Sequence, residues 1–184
     1  MGLTDQIFVA FSQFKFRILK TGSETNGEYD LIEHVLFPKS KTAMRHCHKN
    51  FSEKYTVIDG MLILEVGSDY KLLTPGDTFT VRSNQSHTFF NHTSDTVRFT
   101  TEIRPSSEAF IKALVIRQGL IKDGLCNKKG MPKKLSHAII LLNLSQTYIK
   151  GFGGLLRLIA KQAEKPGMKN LEIELIKKYY DPYL

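Results

Sequence analysis

The sequence predicts a mainly β protein, a sandwich or barrel of short antiparallel strands followed by an α-helical extension. Three observations carry this. Residues 1 to 105 break into short runs of alternating polarity separated by turn residues, with no helical period between them. After Pro105 the pattern changes to helical stretches marked by capping and stop residues. Charge divides at the same place: residues 1–105 hold 12 Lys+Arg against 12 Asp+Glu, and residues 106–184 hold 14 against 6, so the whole net charge of +8 falls in the second part.

The strands follow in order. Phe14 to Leu19 alternates and is broken by Thr21–Gly22 and Asn26–Gly27; Leu31 to Phe37 comes next and is broken by Pro38 and Ser40. Tyr55 to Ile58 leads into Asp59–Gly60, which reads as a type I′ hairpin turn with Met61 to Val66 as the partner strand. Thr74–Pro75–Gly76–Asp77 is a further turn; Phe79 to Arg82, Thr88 to Asn91 and Val97 to Ile103 complete the set. In the extension, Ser106 or Ser107 caps a helix running to about Lys122, stopped by Asp123–Gly124. Pro132 suits the first turn of a second helix that ends near Lys150. Leu155 to Ala163 is a third, closed by Pro166–Gly167, and Asn170 caps a fourth that ends near Tyr180. The chain length of 184 supports one sizeable core, with residues 1–105 as the barrel and 106–184 as an extension packed on it or at a dimer interface.

Several classes are set aside. No run of about 18 apolar residues offers a transmembrane helix, and the first residues lack the pattern of a signal peptide. Cys47 and Cys126 are the only cysteines, so a reducing, cytoplasmic setting is the expectation. The basic extension leaves three readings. Its apolar stretch Ala138 to Leu144 packs on the barrel or a second subunit; or a basic helix lies on a membrane surface; or the Lys128, Lys129, Lys133 and Lys134 cluster binds nucleic acid. The first is preferred, and no nucleic-acid motif is present.

The chemistry lies in two segments of the strand region. His46 and His48 are two apart, so on a strand their imidazoles project to one face and meet one ion. Glu53 approaches the same ion from the start of the next strand, and His87 adds a third imidazole. A three-histidine, one-glutamate set suits a divalent ion such as Fe, Mn, Ni, Zn or Cu and leaves positions open in an octahedral arrangement. Parity extends the inward face to Met44, to Tyr55 and Val57, and to Phe89 and Asn91. Met44, Tyr55 and Phe89 are candidates to flank a mainly apolar substrate, with Tyr55 as a candidate hydrogen-bond or proton donor; core packing is the competing role for each. Asn91 is read first as a brace for its strand or for a ligand, and second as a substrate contact. His34 is read first as a satisfied core or surface histidine.

These segments resemble the two cupin motifs, G-x5-H-x-H-x3,4-E-x6-G and G-x5-P-x-G-x2-H-x3-N. Here they read Ser40, His46, His48, Glu53, Gly60 and Gly76, Arg82, Asn84, His87, Asn91. All four family ligands match, while Ser40, Arg82 and Asn84 depart from the framework residues. Asn84 suits a left-handed position. The extension, through Asp123-Gly124, Asn127 and Gly130-Met131-Pro132, is similar to helical extensions of some bacterial single-domain cupins of unassigned activity. The resemblance implies a double-stranded β-helix, a jelly-roll-like barrel that is commonly dimeric. It implies a metal-dependent enzyme acting on a small organic molecule, oxygenase or dioxygenase first, isomerase or lyase next. The alternative is a non-enzymatic, metal-dependent sensor or carrier of a small molecule.

Overall fold

The computed structural model describes residues 3–5, 7–10, 14–40, 45–127, 130–148 and 161–183. Its strands are β1 (Ile7–Ala10), β2 (Phe14–Lys20), β3 (Asp30–Leu36), β4 (Cys47–His48), β5 (Ser52–Asp59), β6 (Leu62–Val66), β7 (Asp69–Leu73), β8 (Thr78–Val81), β9 (His87–Phe90), β10 (Val97–Arg104) and β11 (Thr147–Tyr148). The described residues after the barrel strands include the helices α1 (Glu108–Lys122), α2 (Leu135–Leu144) and α3 (Pro166–Tyr179), and residues 161–163 are also helical.

Six strands form one antiparallel sheet in the order β1-β2-β3-β10-β5-β8, and three form a second in the order β7-β6-β9. The pair β11-β4 extends the second sheet, because His46, just before β4, bridges His87 on β9. Inward residues of the large sheet alternate with exposed ones, as on β10, where Val97, Phe99, Thr101 and Ile103 are buried and Arg98 and Arg104 are exposed. Two apolar clusters cover this inner face. Leu36, Tyr55, Val57, Val97 and Phe99 pack with Leu62, Leu64 and Leu73 of the small sheet. Phe16, Ile18, Ile32 and Ile103 pack with Ile111 and Val115 of α1. The first helix thus does for one half of the large sheet what a second sheet does for the other.

The Asp59–Gly60 corner corrects a sequence expectation. Among its two residues only Gly60 has positive φ, at 78°, and β5 and β6 lie in different sheets. It is a crossing between sheets rather than a type I′ hairpin, because hydrogen bonding of β5 to β10 and β8 leaves β6 to pair elsewhere. Glycine is required there twice over: a Cβ would sit 2.6 Å from the Thr96 carbonyl oxygen. The actual tight hairpin is β6–β7, turning at Gly67–Ser68, and β7 carries too little alternation to be seen in sequence. Asn84 does adopt the left-handed conformation, with φ 62°.

In the extension, Ser107 caps α1 by accepting the Phe110 N–H, and the Asp30 carboxylate accepts from the Ser107 and Gly22 N–H groups, tying the helix start to the barrel. The second helix ends at Leu144 rather than near Lys150. Gln146 turns at φ 50° and the chain re-enters as β11. Helical residues end at 163 as expected, but Pro166 opens α3 at its first turn with Lys165 at the N-cap, so Asn170 lies inside the helix instead of capping it. The stretch 149–160, which holds most of the expected third helix, lies outside the described residues, as do Lys128 and Lys129. Among the described residues, no helix is long and apolar enough to cross a membrane.

Helix α1 is apolar on two sides. Ile111 and Val115 face the barrel, and Ala113, Ile116 and Leu120 face Ile140, Leu141 and Leu144 of α2 and Leu175 and Tyr179 of α3. Gly119 lets α3 approach, since a Cβ there would fall 2.1 Å from the Tyr179 ring. That ring is pinned by its hydroxyl, which donates to Asp123, the carboxylate that also pairs with Lys178. Gly119→Ala is therefore expected to destabilise by roughly 1–3 kcal/mol from overpacking, despite the approximately 1 kcal/mol gained in helix propensity. Urea unfolding would read it, and an unchanged or raised midpoint would show that the ring moves freely.

Candidate metal centre

Three strand segments and one backbone bridge bring the sequence-predicted ligands together. His46 and His87 exchange both backbone hydrogen bonds, at 2.9 and 2.7 Å, so their side chains stand on the same face. His48 joins them by strand alternation. One ring nitrogen from each of His46, His48 and His87 lies within 4.8 Å of the others. Glu53, inward at the start of β5, places Oε2 at 2.6 Å from His87 Nε2 and 3.7 Å from His48 Nε2.

The polar accounting favours an ion. His48 Nε2 and His87 Nε2 are buried without a hydrogen-bond partner of full geometry, although Glu53 Oε2 stands 2.6 Å from the latter. Buried polar atoms are seldom left so. Each would be satisfied as a donor to a divalent cation, and three imidazoles with one carboxylate are an ordinary donor set for one. The residues present therefore fit a metal. The other nitrogen of His87, Nδ1, lies 3.1 Å from the Gln85 carbonyl oxygen, the arrangement that frees Nε2 for a ligand role.

The charges of these groups act on one another. Burial alone would raise the Glu53 carboxyl, but the His87, His48 and His46 rings outweigh it and bring it to about 2. Burial pushes His87 down, yet the adjacent Glu53 carboxylate wins and its pKa is raised. Burial dominates at His48, whose pKa is lowered despite Glu53. Tyr55 donates its hydroxyl to Glu53 at 3.3 Å; burial and that carboxylate hold its pKa well above the usual phenol value, so it keeps its proton.

The remaining candidates are placed as follows. Tyr55 is 1% exposed, and its ring meets Phe89 at 5.9 Å and Phe99 at 6.0 Å. Phe89 is half-buried against the same cluster. Asn91 is fully buried and its amide is spent away from the ligands: it donates to the carbonyls of Phe37 and Asp95 and accepts from the Thr93 N–H and hydroxyl. That is the work of a brace, and it leaves little for a substrate. Met44 lies outside the described residues. Cys47 is buried and points its thiol toward the Tyr148 carbonyl, 3.6 Å away.

Sequence reasoning missed two neighbours. Phe51 stacks on His48 at 4.4 Å, and Phe110 of α1 meets the same ring edge-on at 5.5 Å. Position 51 falls inside the first motif, but Phe110 is distant in sequence and carries no local signal. His34 shares parity with buried Ile32 and Leu36, and its ring stacks on Phe99 at 4.9 Å. Its Nδ1 is buried without a partner, and burial lowers its pKa to about 4, only partly opposed by Glu53. A histidine depressed in the fold stays neutral while the unfolded chain takes up a proton, so its contribution is present above about pH 6.5 and lost as pH falls toward 4. His34→Phe keeps the ring stack and removes the unpaired nitrogen. It is expected to recover roughly 2 kcal/mol of the stability lost between pH 7 and 5. Parallel urea titrations at the two pH values would measure it, and equal losses in both proteins would refute the assignment.

Comparison with known proteins agrees with this geometry. Residues 33–103 match the cupin domain family. Over those residues the barrel resembles a cupin domain. The cupin fold is shared with KdgF from Halomonas sp., at 14% identity and a TM-score of 0.50 over 56% of this chain and 88% of that one. It is shared equally with a predicted oxalate decarboxylase from Thermotoga maritima, at 16% identity and a TM-score of 0.50 over 57% and 98%. At these identities the likeness concerns fold alone. No curated protein matches the chain.

Proposed function

We propose that this cupin is a metal-dependent enzyme acting on a small organic molecule, with His46, His48, Glu53 and His87 as ligands to one divalent ion. The observation that carries the reading is the convergence of three imidazoles with buried Nε2 atoms on His48 and His87 beside the Glu53 carboxylate. A bound ion of this kind supplies Lewis acidity and, when redox-active, a site for O₂. Within the protein, Glu53 is the candidate proton acceptor, because it is a buried, ionised carboxylate beside the three imidazoles that accepts the Tyr55 hydroxyl. Tyr55 positions Glu53 and keeps its own proton. Phe89, Phe99 and Phe51 exclude water from the inner side. An oxygenase is the first choice and an isomerase or lyase the second; a homodimer and a cytoplasmic setting accompany the proposal.

The rival reading is a metal-dependent sensor or carrier. It is favoured by the packing of Tyr55 and Phe89 into the apolar cluster, which fills space a substrate would need. Protein reconstituted separately with Fe(II), Mn(II), Ni(II), Cu(II) and Zn(II) would be incubated with a panel of small carboxylic acids, phenols and sugars. Consumption of O₂ that needs both metal and organic compound is the expected result. Conversion without O₂ would move the assignment to isomerase or lyase. Tight binding without conversion would leave the sensor.

A further inference from the structure

Strand β4 is two residues long and carries His48, yet a strand so short makes few ladder bonds of its own. Its neighbours hold it. On one side the His46–His87 bridge ties it to β9, and the Asn84 N–H donates to the His48 carbonyl at 2.6 Å. On the other side stands β11 of the C-terminal extension, with Thr147 opposite His48 and Tyr148 opposite Cys47. Lys49 adds its ammonium 4.5 Å over the Tyr148 ring. The contacts continue to the imidazole itself. The backbone of Ser145 and Gln146 lies beside the His48 ring, although neither ring nitrogen meets a partner at full hydrogen-bond geometry. Gln146 holds a left-handed φ of 50°, a conformation costly for a residue with a side chain, and so the turn that delivers this backbone is over-determined by its surroundings. Phe110 of α1 and Phe51 close on the ring from its edge and its face.

We propose that the turn and strand Ser145–Tyr148, with Phe110, are positioning elements of the metal centre: the C-terminal extension clamps His48 so that its Nε2 faces Glu53 and the ion. This rests on the metal reading above and deepens it. The extension is then a working part of the site rather than a cover for apolar surface. A ligating histidine is normally oriented by a group at its other nitrogen, and losing such a group costs about 10–100-fold in metal affinity.

Cobalt(II) binding to the full-length chain tests this, read by its visible absorption bands and by competition with a chelator. Thr147→Pro removes the strand N–H and cannot pair, whereas Thr147→Val keeps both N–H and strand preference. The expected result is about 10–100-fold weaker cobalt binding with shifted bands for Thr147→Pro, and wild-type affinity and bands for Thr147→Val. Should Thr147→Pro give no cooperative thermal transition, Phe110→Ala serves in its place. It deletes the edge contact to His48 together with the packing of Phe110 on Phe51 and the barrel cluster, and in the folded variant it is expected to shift the bands and weaken binding by about tenfold. Unchanged affinity and bands in the folded variant, or equal losses in Thr147→Val, would overturn the clamp while leaving the metal centre intact. A wild-type chain that takes up no cobalt would overturn both.

Discussion

His48→Ala/His87→Ala is expected to purify without metal, while the wild-type chain purifies with, or can be reconstituted to, nearly one divalent ion. Two of the three imidazoles leave together, and each offers a buried Nε2 beside the Glu53 carboxylate. Loss of a direct ligand exceeds the approximately 100-fold upper range for removing a group that only orients one. The fold should survive, because the His46–His87 bridge is made by backbone atoms and alanine preserves it. Without metal the variant will nonetheless be less stable, since Glu53 loses the charges that compensate its burial, a change of about 3–5 kcal/mol when a buried pair is broken. Elemental analysis of the folded fraction reads the first effect and urea unfolding of chelated protein the second. Metal retained at wild-type stoichiometry by the double variant would place the ion elsewhere.

Phe99→Ala should cost about 3–5 kcal/mol, the usual range for deleting a wholly buried aromatic. Phe99 has no exposed surface and lies on β10, the strand that pairs with both β3 and β5. Its ring stacks on His34, meets Phe89 edge-on at 5.3 Å and touches Tyr55, so it joins the wall of the site to the barrel core. Arg98→Ala, one residue away, is half-exposed with its guanidinium 4.0 Å from Glu33, and is expected to change stability by no more than about 0.5 kcal/mol. Chemical denaturation of the pair would show the contrast. A loss below about 1 kcal/mol for Phe99→Ala would mean that the cluster collapses around the gap or was never tightly packed.

The sequence alone determined the strands whose polarity alternates and whose ends carry turn chemistry. It also determined the identities of the converging histidines, because alternation puts His46 and His48 on one face whatever the surroundings. Residues 33–103 are legible for this reason: local period, turn residues and ligand spacing all point to one arrangement. Tertiary structure decided the rest. Whether Asp59–Gly60 makes a hairpin or a crossing depends on which strands compete for β5, and that competition is settled by residues far along the chain. The length of α2 was decided the same way. Its apolar run could continue as helix, but pairing with Cys47 and His48 draws residues 147 and 148 into a strand, about a hundred positions from their partners. Asn91 had the parity of a site residue, and only the fold showed its amide spent on neighbouring carbonyls. Phe110 beside His48 belongs with these: a contact between remote segments leaves no period and no motif, because it is selected by packing after the local elements have formed.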